Sequence, residues 1–178
     1  STGVSRIFIR SAQEMYEAVM KALSGSDVFI AAAAVADFRP AIKGDQKIKK
    51  QYQSSYSGSE TVNKNSVPAA GVTLELLPNP DILAEACARK ADTFCVGFAA
   101  ETENLRDNAY VKRLRKGADL IAANWVGDGK GFDVEDNAFL ILGENFEREL
   151  SQAPKRVLAQ QLMQIIAERM SLTTHKAN

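Results

Sequence analysis

Apolar residues along this chain form continuous runs in some segments and follow helical spacing in others. The two kinds of segment alternate, which predicts strands that alternate with helices. Largely apolar runs, typical of strands buried on both faces of a parallel sheet, occur at residues 28–34, 93–99 and 119–123. Helical spacing follows Ser11 up to Gly25, and returns at 82–88, 105–116 and 157–170. A late hairpin is predicted at 137–142 and 147–150. This order predicts an α/β fold with a doubly wound, mostly parallel, Rossmann-like sheet in a single domain, residues 1–178.

The pattern also predicts how some elements begin. Residues 4–10 alternate apolar and polar side chains and predict an opening strand, which would make the start of the chain a βαβ unit. Ser11 and Glu14 have the spacing of a capping box at the start of the first helix. Residues 72–77 predict a further strand, after which Asn79 suits an N-cap and Pro80 the first helical position.

Composition excludes several classes of function. Lys and Arg together number 22, as do Asp and Glu, so bulk charge argues against a nucleic-acid partner and against a membrane surface. No apolar run reaches the length of a membrane span. Cys87 and Cys95 lack metal-ligand spacing and are expected to be buried in a reducing compartment, the cytoplasm. His175 is the single histidine and lies in a polar tail, so neither a catalytic histidine nor a zinc site is expected.

Residues 28–50 carry the strongest chemical signal. The apolar strand ends in Ala31, Ala32, Ala33 and Ala34, whose small side chains allow close approach to the backbone. Asp37 follows, and then a basic cluster at 47–50, an arrangement that suits a phosphate ester at the carboxyl edge of a sheet. The alternative is a buried strand, a loop and a solvated charge run.

Other strand ends offer similar choices. Free N–H groups after Pro80 could hold a phosphate or ribose oxygen, whereas Asp81 could simply complement the helix dipole. Phe98 could stack on a base or belong to the core. Lys112 and Lys116 share a helix face and are either a polyphosphate clamp or a solvated helix end. Residues 51–70 predict either a flap over a nucleotide or a disordered insertion, and 171–178 a frayed tail.

Five sequence blocks, in order, resemble the bacterial phosphopantothenoylcysteine synthetase of coenzyme A biosynthesis. They are AAVADFRP with KIKK, NPDI at 79–82, VGFAAET at 96–102, KRLRK at 112–116 and DLIAAN at 119–124. The resemblance implies a ligase that uses CTP to activate 4′-phosphopantothenate as an acyl cytidylate, which cysteine then attacks. It implies a catalytic role for Lys47 and nucleotide contacts at Ala31, Ala32, Ala33, Asp37, Lys47, Pro80, Asp81, Ile82, Leu83, Phe98, Lys112 and Lys116.

The same resemblance implies Mg²⁺ as cofactor, with no protein ligand that the sequence can name, a homodimer, and a decarboxylase domain or protein as partner. One departure stands out. The family has an Asn-x-x-Ser-Ser-Gly segment ahead of its first matching helix, and none of the residues before Ser11 match it. We therefore expect the chain to be a C-terminal part of the synthetase.

Two other functions stay open at this point. A nicotinamide-dependent reductase on the same fold class would carry a Gly-x-Gly-x-x-Gly turn, which this sequence lacks. A nucleotide-binding assembly fragment would keep the pocket without the full chemistry. The match to the CTP-using bacterial branch predicts a preference for CTP over ATP.

Overall fold

The described part of the chain forms seven strands and four helices in two compact units. The computed structural model describes residues 3–42, 44, 73–89, 92–126 and 136–174. The elements are α1 (Ala12–Leu23), β1 (Val28–Ala31), β2 (Phe38–Pro40), β3 (Leu76–Pro78), α2 (Ile82–Arg89), β4 (Phe94–Glu101), α3 (Leu105–Lys116), β5 (Leu120–Trp125), β6 (Asp136–Gly143), β7 (Phe146–Pro154) and α4 (Lys155–Thr174). One unit comprises residues 1–35 and 80–178, and the other residues 36–79.

The larger unit contains a five-stranded sheet with the order β1-β4-β5-β6-β7. The first three strands are parallel, with Ala31 opposite Gly97 and Glu101 opposite Trp125. The last two run antiparallel and form the late hairpin, whose turn places Asn145 at a positive φ of 48°. The predicted fold class and the hairpin are therefore confirmed.

Helices cover both faces of this sheet. Along β4, Cys95 and Ala99 belong to the core on one face, whereas Phe94 and Val96 belong to the core on the other. We call the first the α2–α3 face, because both helices pack against β4 there, and the second the α4 face. Coverage on both sides explains why β4 and β5 are apolar without alternation.

The predicted strand over residues 4–10 is wrong. These residues precede α1 without regular structure, and Ile7 and Phe8 are 66% and 91% exposed. Apolar alternation predicts a strand only where one face is buried, and this segment buries neither face. The expected βαβ opening is therefore replaced by α1 leading directly into β1.

The capping signal at Ser11 is confirmed. The Glu14 N–H donates to Ser11 Oγ at 3.2 Å, which satisfies one of the free donors of the first turn. The Glu14 carboxylate accepts a hydrogen bond from the Arg10 N–H at 2.7 Å. In a standard capping box this carboxylate would accept from the N–H of the N-cap residue, Ser11, which is one position later.

The smaller unit contains a two-stranded antiparallel sheet of β2 and β3. Phe38 lies opposite Pro78 and Pro40 opposite Leu76. The strand predicted at 72–77 is thus shorter in the described residues, and it belongs to this ribbon rather than to the five-stranded sheet.

Asn79 does not cap α2, contrary to the sequence prediction. Its side chain donates to Ala36 O at 2.8 Å and accepts from Arg39 at 3.2 Å, so its polar atoms serve the smaller unit. Asp81 takes the capping position instead: the Ala84 N–H donates to Asp81 Oδ1 at 3.1 Å. Asn79 and Asp81 are both residue types that favour the N-cap position. Asp81 becomes the cap of α2 because the side chain of Asn79 is already hydrogen-bonded to Ala36 and Arg39.

Candidate functional site

The alanine run at the end of β1 is partly packed and partly exposed. Ala31 closes β1 opposite Gly97 and packs on the core of the α2–α3 face. Ala32 and Ala33 follow the strand and are exposed. Three of the predicted contact residues therefore lie at the carboxyl end of a parallel strand, where ligands of such sheets gather.

Lys116 and Asp81 form the central contact of the candidate site. The Lys116 ammonium donates to Asp81 Oδ2, joining the last turn of α3 to the N-cap of α2. The side chain of Lys116 is only 15% exposed, against 46% for Asp81. Lys116 is thus not a solvated helix end, even though α3 stops directly after it at Gly117, in the left-handed conformation predicted for a terminating glycine.

The charge state of Asp81 follows from its partners. Burial alone would raise the pKa of the Asp81 carboxyl. The hydrogen bonds from Lys116 and from the Ala84 N–H outweigh it, helped by the charges of Lys116 and Arg115, and the pKa lies below the usual value. Asp81 is therefore an ionised carboxylate held between a helix N-terminus and an ammonium group.

Lys112 lies one turn before Lys116 on the same face of α3. Burial lowers the pKa of its ammonium, and the charges of Lys116 and Arg115 lower it further, whereas Glu101 and Asp81 act in the opposite direction. The net pKa is below the usual value of 10.5. We name the side chains of Asn108, Lys112 and Lys116, spaced by four residues, the α3 polar row.

Two residues of this site escaped the sequence analysis. Glu101 is the last residue of β4, half-buried, and its Oε2 accepts from Asn108 Nδ2 at 3.0 Å. The signal was present, because an acid ending an apolar strand is unusual and Asn108 precedes Lys112 by one helical turn. Only the three-dimensional pairing of β4 with α3 shows that the two belong together.

Ile82 and Leu83 are buried rather than open to a ligand. They are 7% and 8% exposed, and Leu83 belongs to the core of the α2–α3 face. A Cβ added at Gly97 would lie 2.5 Å from Leu83 Cδ2 and 2.8 Å from Ile121 Cδ1. Two core side chains therefore approach the backbone closely at Gly97. Pro80 precedes the Asp81 cap and is half-buried.

Phe98 is half-buried on the other face of the sheet. It packs on the core of the α4 face and meets Phe139 edge to face, with ring centroids 5.7 Å apart. The side chains of Lys112 and Lys116 lie on a helix that covers the α2–α3 face. The structure thus does not bring Phe98 together with the α3 polar row.

Asp37 belongs to the smaller unit, where it is exposed and its backbone oxygen accepts from the Asn79 N–H at 2.8 Å. The predicted catalytic residue, Lys47, and the predicted flap, residues 51–70, lie outside the described residues. The predicted tail at 171–178 is described only to residue 174, where it continues α4.

An open pocket of about 360 Å³ also lies on the larger unit. It is lined by Leu105, Arg106, Trp125, Ala138, Phe139, Leu140, Glu149, Leu150 and Ser151. None of the residues predicted to contact a nucleotide lines it.

Neither a cluster of metal ligands nor a membrane-spanning helix occurs among the described residues. Within the described ranges, no three His, Cys, Asp or Glu side chains are grouped as metal ligands. No described helix is both long enough and apolar enough to cross a bilayer. Cys87 and Cys95 are both buried, as the sequence predicted.

Two kinds of group that can bind phosphate oxygens lie on the α2–α3 face, beside the carboxylates of Asp81 and Glu101. Two lysines of α3 and the N-terminus of α2 meet there, and both features attract phosphate oxygens. A phosphate ligand would compete with Asp81 for Lys116.

Known proteins resemble this chain in both sequence and structure. The coenzyme A biosynthesis bifunctional protein CoaBC of Vibrio cholerae is 38% identical over 170 residues, which cover 94% of this chain and 39% of that protein. The chain thus spans about two fifths of the length of the curated relatives it matches.

Two solved structures extend the comparison. The crystal structure of the C-terminal domain of a coenzyme A biosynthesis bifunctional protein CoaBC is 26% identical with a TM-score of 0.70, covering 96% of this chain and 68% of that one. A Cab2 mutant complex with phosphopantothenate-cysteine has a TM-score of 0.68 over 96% of this chain and 54% of that one, and at 14% identity it supports the fold alone.

The family profile described as DNA/pantothenate metabolism flavoprotein C-terminal domain matches residues 1–170. With nearly the whole sequence matched and the same fold in a solved relative, the chain belongs to the DNA/pantothenate metabolism flavoprotein C-terminal domain family.

Proposed function

We propose that this chain is the nucleotide-binding part of a ligase that joins 4′-phosphopantothenate to cysteine at the expense of CTP. The family and the names of the relatives support a role in coenzyme A biosynthesis. The finer statement, that CTP is the activating nucleotide, rests on the match of AAVADFRP and KIKK to the bacterial synthetases.

One observation carries this proposal. Asp81 and Lys116 are 35 residues apart in the sequence, and each matches a nucleotide contact of the family. In the fold they touch, and Lys112 lies one turn away. Three of the twelve matched contact residues, Asp81, Lys112 and Lys116, therefore lie together at the N-terminus of a helix, a position that attracts phosphate.

The proposed chemistry proceeds in two substitutions. A carboxylate oxygen of 4′-phosphopantothenate attacks the α-phosphorus of CTP, and the bond to the β-phosphate oxygen breaks, releasing pyrophosphate. The cysteine amine then attacks the acyl carbon of the mixed anhydride, loses a proton, and CMP leaves. Both steps depend on positioning and on neutralising phosphate charge, which is the role we assign to Lys112, Lys116 and Lys47.

Magnesium is expected from the resemblance, but the described residues do not supply a site for it. They contain no cluster of three ligating side chains, and the Asp81 carboxylate is already bonded to Lys116. Mg²⁺ in nucleotide enzymes is commonly held by the substrate phosphates and one or two carboxylates.

Three further expectations belong to the same proposal. We expect the complete protein to act as a homodimer and in the cytoplasm. We also expect a decarboxylase domain or protein as partner, because the relatives are named bifunctional and this chain spans 39% of the first of them.

Calorimetric titration with CTP, ATP and NADPH tests the nucleotide assignment. We expect CTP to bind more tightly than ATP, and NADPH not to bind. Equal or tighter binding of ATP would contradict the CTP preference, and binding of NADPH alone would favour a reductase.

The catalytic assignment of Lys47 needs a protein of full family length. Lys47→Gln should lower turnover by at least ~10²-fold, the scale of losing one preorganised electrostatic group, with a smaller effect on CTP affinity. Lys49→Gln and Lys50→Gln serve as matched controls in the same pyrophosphate-release assay. Three equal effects would indicate a diffuse basic patch, and near-normal turnover of Lys47→Gln would remove its catalytic role.

A further inference from the structure

The open pocket of the larger unit shares no residue with the α3 polar row. We call it the Trp125 pocket, after the aromatic residue in its wall. Trp125 lies on the same side of β5 as Ile121 and Ala123, which belong to the core of the α2–α3 face. Leu105, in the first turn of α3, belongs to that core and also lines the pocket. The pocket therefore opens on the α2–α3 face, beside the start of α3.

One carboxylate in the wall of the Trp125 pocket is left without a partner among the described residues. Glu149 of β7 lies opposite Leu140 of β6, and Leu140 belongs to the core of the α2–α3 face. Side chains of directly opposed residues project from the same side of a sheet, so Glu149 lies on that face as well. Its negative charge is therefore available to a ligand in the pocket.

The positive charge in the same wall is already paired. Arg106 lines the pocket, and its guanidinium contacts both carboxylate oxygens of Glu147, at 2.6 Å from Nη1 and 2.5 Å from Nη2. Such a bidentate pair occupies the fork of the guanidinium that would otherwise hold an anion. Within the described wall the unpaired charge is thus the negative one of Glu149, so the pocket favours a cation over an anion.

The rest of the wall suits a cation that is attached to an apolar group. The side chain of Trp125 is 45% exposed, and an indole ring attracts cations more strongly than the other aromatic rings do. Leu105 and Leu140 are buried residues that give the pocket an apolar surface. The volume of about 360 Å³ lies near the lower end of the range for ligand pockets, so the occupant is small.

A bulge in the β6–β7 ladder shapes the same wall. The register shifts between Asn137 and Phe139, so residues 151 and 152 of β7 lie opposite Ala138 alone. Such a bulge bends the strand and redirects its side chains, and bulges are frequent next to functional sites. Ala138 and Ser151 both line the pocket. The bulge therefore adds a hydroxyl oxygen, which can accept a hydrogen bond from an ammonium group, to the wall.

We propose that the Trp125 pocket binds a small organic ammonium ion, which is the charged form of a primary amine that carries an apolar group. The Glu149 carboxylate and the Trp125 indole hold the ammonium, and the apolar group packs on Leu105 and Leu140. This site is separate from the proposed nucleotide site and does not depend on the proposed function.

Tryptophan fluorescence measures this binding directly, because Trp125 is the single tryptophan of the chain. Benzylammonium is the probe, and benzyl alcohol and benzoate are controls of similar size that are neutral and negatively charged. All three are titrated at the same low ionic strength, because salt screens an exposed carboxylate.

We expect a saturable change with benzylammonium, at a dissociation constant at least about threefold below that of benzyl alcohol. Benzoate should bind more weakly than either. A linear change with benzylammonium that does not saturate, or equal affinities for the three compounds, would overturn the proposal.

Glu149→Gln keeps the size of the side chain and removes its charge. The variant should lose most of the preference for benzylammonium over benzyl alcohol, with the affinity for benzyl alcohol unchanged. Glu144→Gln is the matched control and should keep the preference, because Glu144 is an exposed acid at the β6–β7 turn outside the pocket. An unchanged preference in Glu149→Gln, or an equal loss in both variants, would contradict the assigned role of Glu149.

Ser151→Lys is a second variant, which keeps Glu149 and adds a positive charge to the wall. It should weaken the binding of benzylammonium by a larger factor than the binding of benzyl alcohol. If Glu149→Gln fails to fold, this variant still decides the proposal. An unchanged affinity for benzylammonium in Ser151→Lys would mean that the amine binds elsewhere on the chain.

Discussion

The two faces of the five-stranded sheet are built from different side chains. The α4 face is packed with large residues, and its fully buried members include Ile141, Leu158, Ile165 and Ile166. The α2–α3 face combines large residues, such as Leu83 and Ile121, with six small ones: Ala99, Ala109, Ala118, Ala123, Cys87 and Cys95. Among the described residues of the larger unit, the charged groups of the candidate site lie on helices and at a strand end of the second face: Asp81, Glu101, Lys112 and Lys116.

This difference separates stability from ligand binding. Large aliphatic side chains bury more apolar surface per residue than alanine or cysteine, so we expect an average buried residue of the α4 face to contribute more to stability. Small side chains let α2 and α3 approach the sheet and each other closely, which allows Lys116 to reach Asp81. Binding chemistry can then change on one face with little effect on the core of the other.

The largest expected effect is on the α4 face. Ile165 is 1% exposed, and Ile165→Ala should lower the free energy of unfolding by about 2–5 kcal/mol through lost burial and the cavity left behind. Urea unfolding measures this change. CTP affinity of the folded fraction should stay close to that of the original chain, and a parallel loss of affinity would break the separation of the two faces.

Gly97→Ala tests the close packing of the α2–α3 face. The new methyl group would meet Leu83 and Ile121 at distances of 2.5 and 2.8 Å, so we expect a loss of about 1–3 kcal/mol in unfolding free energy. The double variant Gly97→Ala with Leu83→Ala should lose less than the sum of the single variants, because the shorter side chain relieves one clash. Additive losses would show that the two residues do not share this contact.

Local sequence signals correctly predicted the helix ends that are determined by interactions between neighbouring residues. The bounds of α3 follow from its apolar spacing and from Gly117, and the start of α1 follows from Ser11. The failures came from non-local partners. Residues 4–10 have the alternation of a strand but no sheet to bury it, and Asn79 has the chemistry of a cap but bonds to Ala36 and Arg39.

The sequence predicted which residue types the candidate site contains, but it did not predict how their side chains are arranged in space. The sequence left Lys112 and Lys116 open between a polyphosphate clamp and a solvated helix end, and allowed Asp81 to complement the helix dipole. Nothing local shows that Asp81 and Lys116 would bond to each other. Phe98 illustrates the reverse case. Its position at a strand end allowed either base stacking or a place in the core, and strand alternation directs its side chain to the α4 face beside Phe139.

The smallest expected effect concerns the Asp81 carboxylate. Its pKa is lowered in the folded chain, so its ionised form adds stability above about pH 3.8 and this contribution is lost as the pH falls through the folded value. Asp81→Asn keeps an oxygen for the Ala84 N–H and removes the charge. We expect it to cost at most about 1 kcal/mol near neutral pH, because Asp81 is nearly half exposed.

Urea unfolding at several pH values measures this contribution of the Asp81 carboxylate to the free energy of unfolding. The difference between Asp81→Asn and the original chain should shrink as the pH falls below about 3.8. A difference that is constant with pH would mean that the ion pair with Lys116 contributes nothing and that only the cap matters.

The most direct test of the account is a CTP titration of Lys112→Ala at low salt, beside Lys155→Ala as a matched control. Lys155 is an exposed lysine at the start of α4, outside the candidate site. Loss of a charged phosphate contact should weaken binding by about 1.5–3 kcal/mol, roughly ten- to hundredfold. We therefore predict this loss for Lys112→Ala and unchanged affinity for Lys155→Ala. Equal affinities in the two variants would contradict the assignment of nucleotide binding to the α2–α3 face.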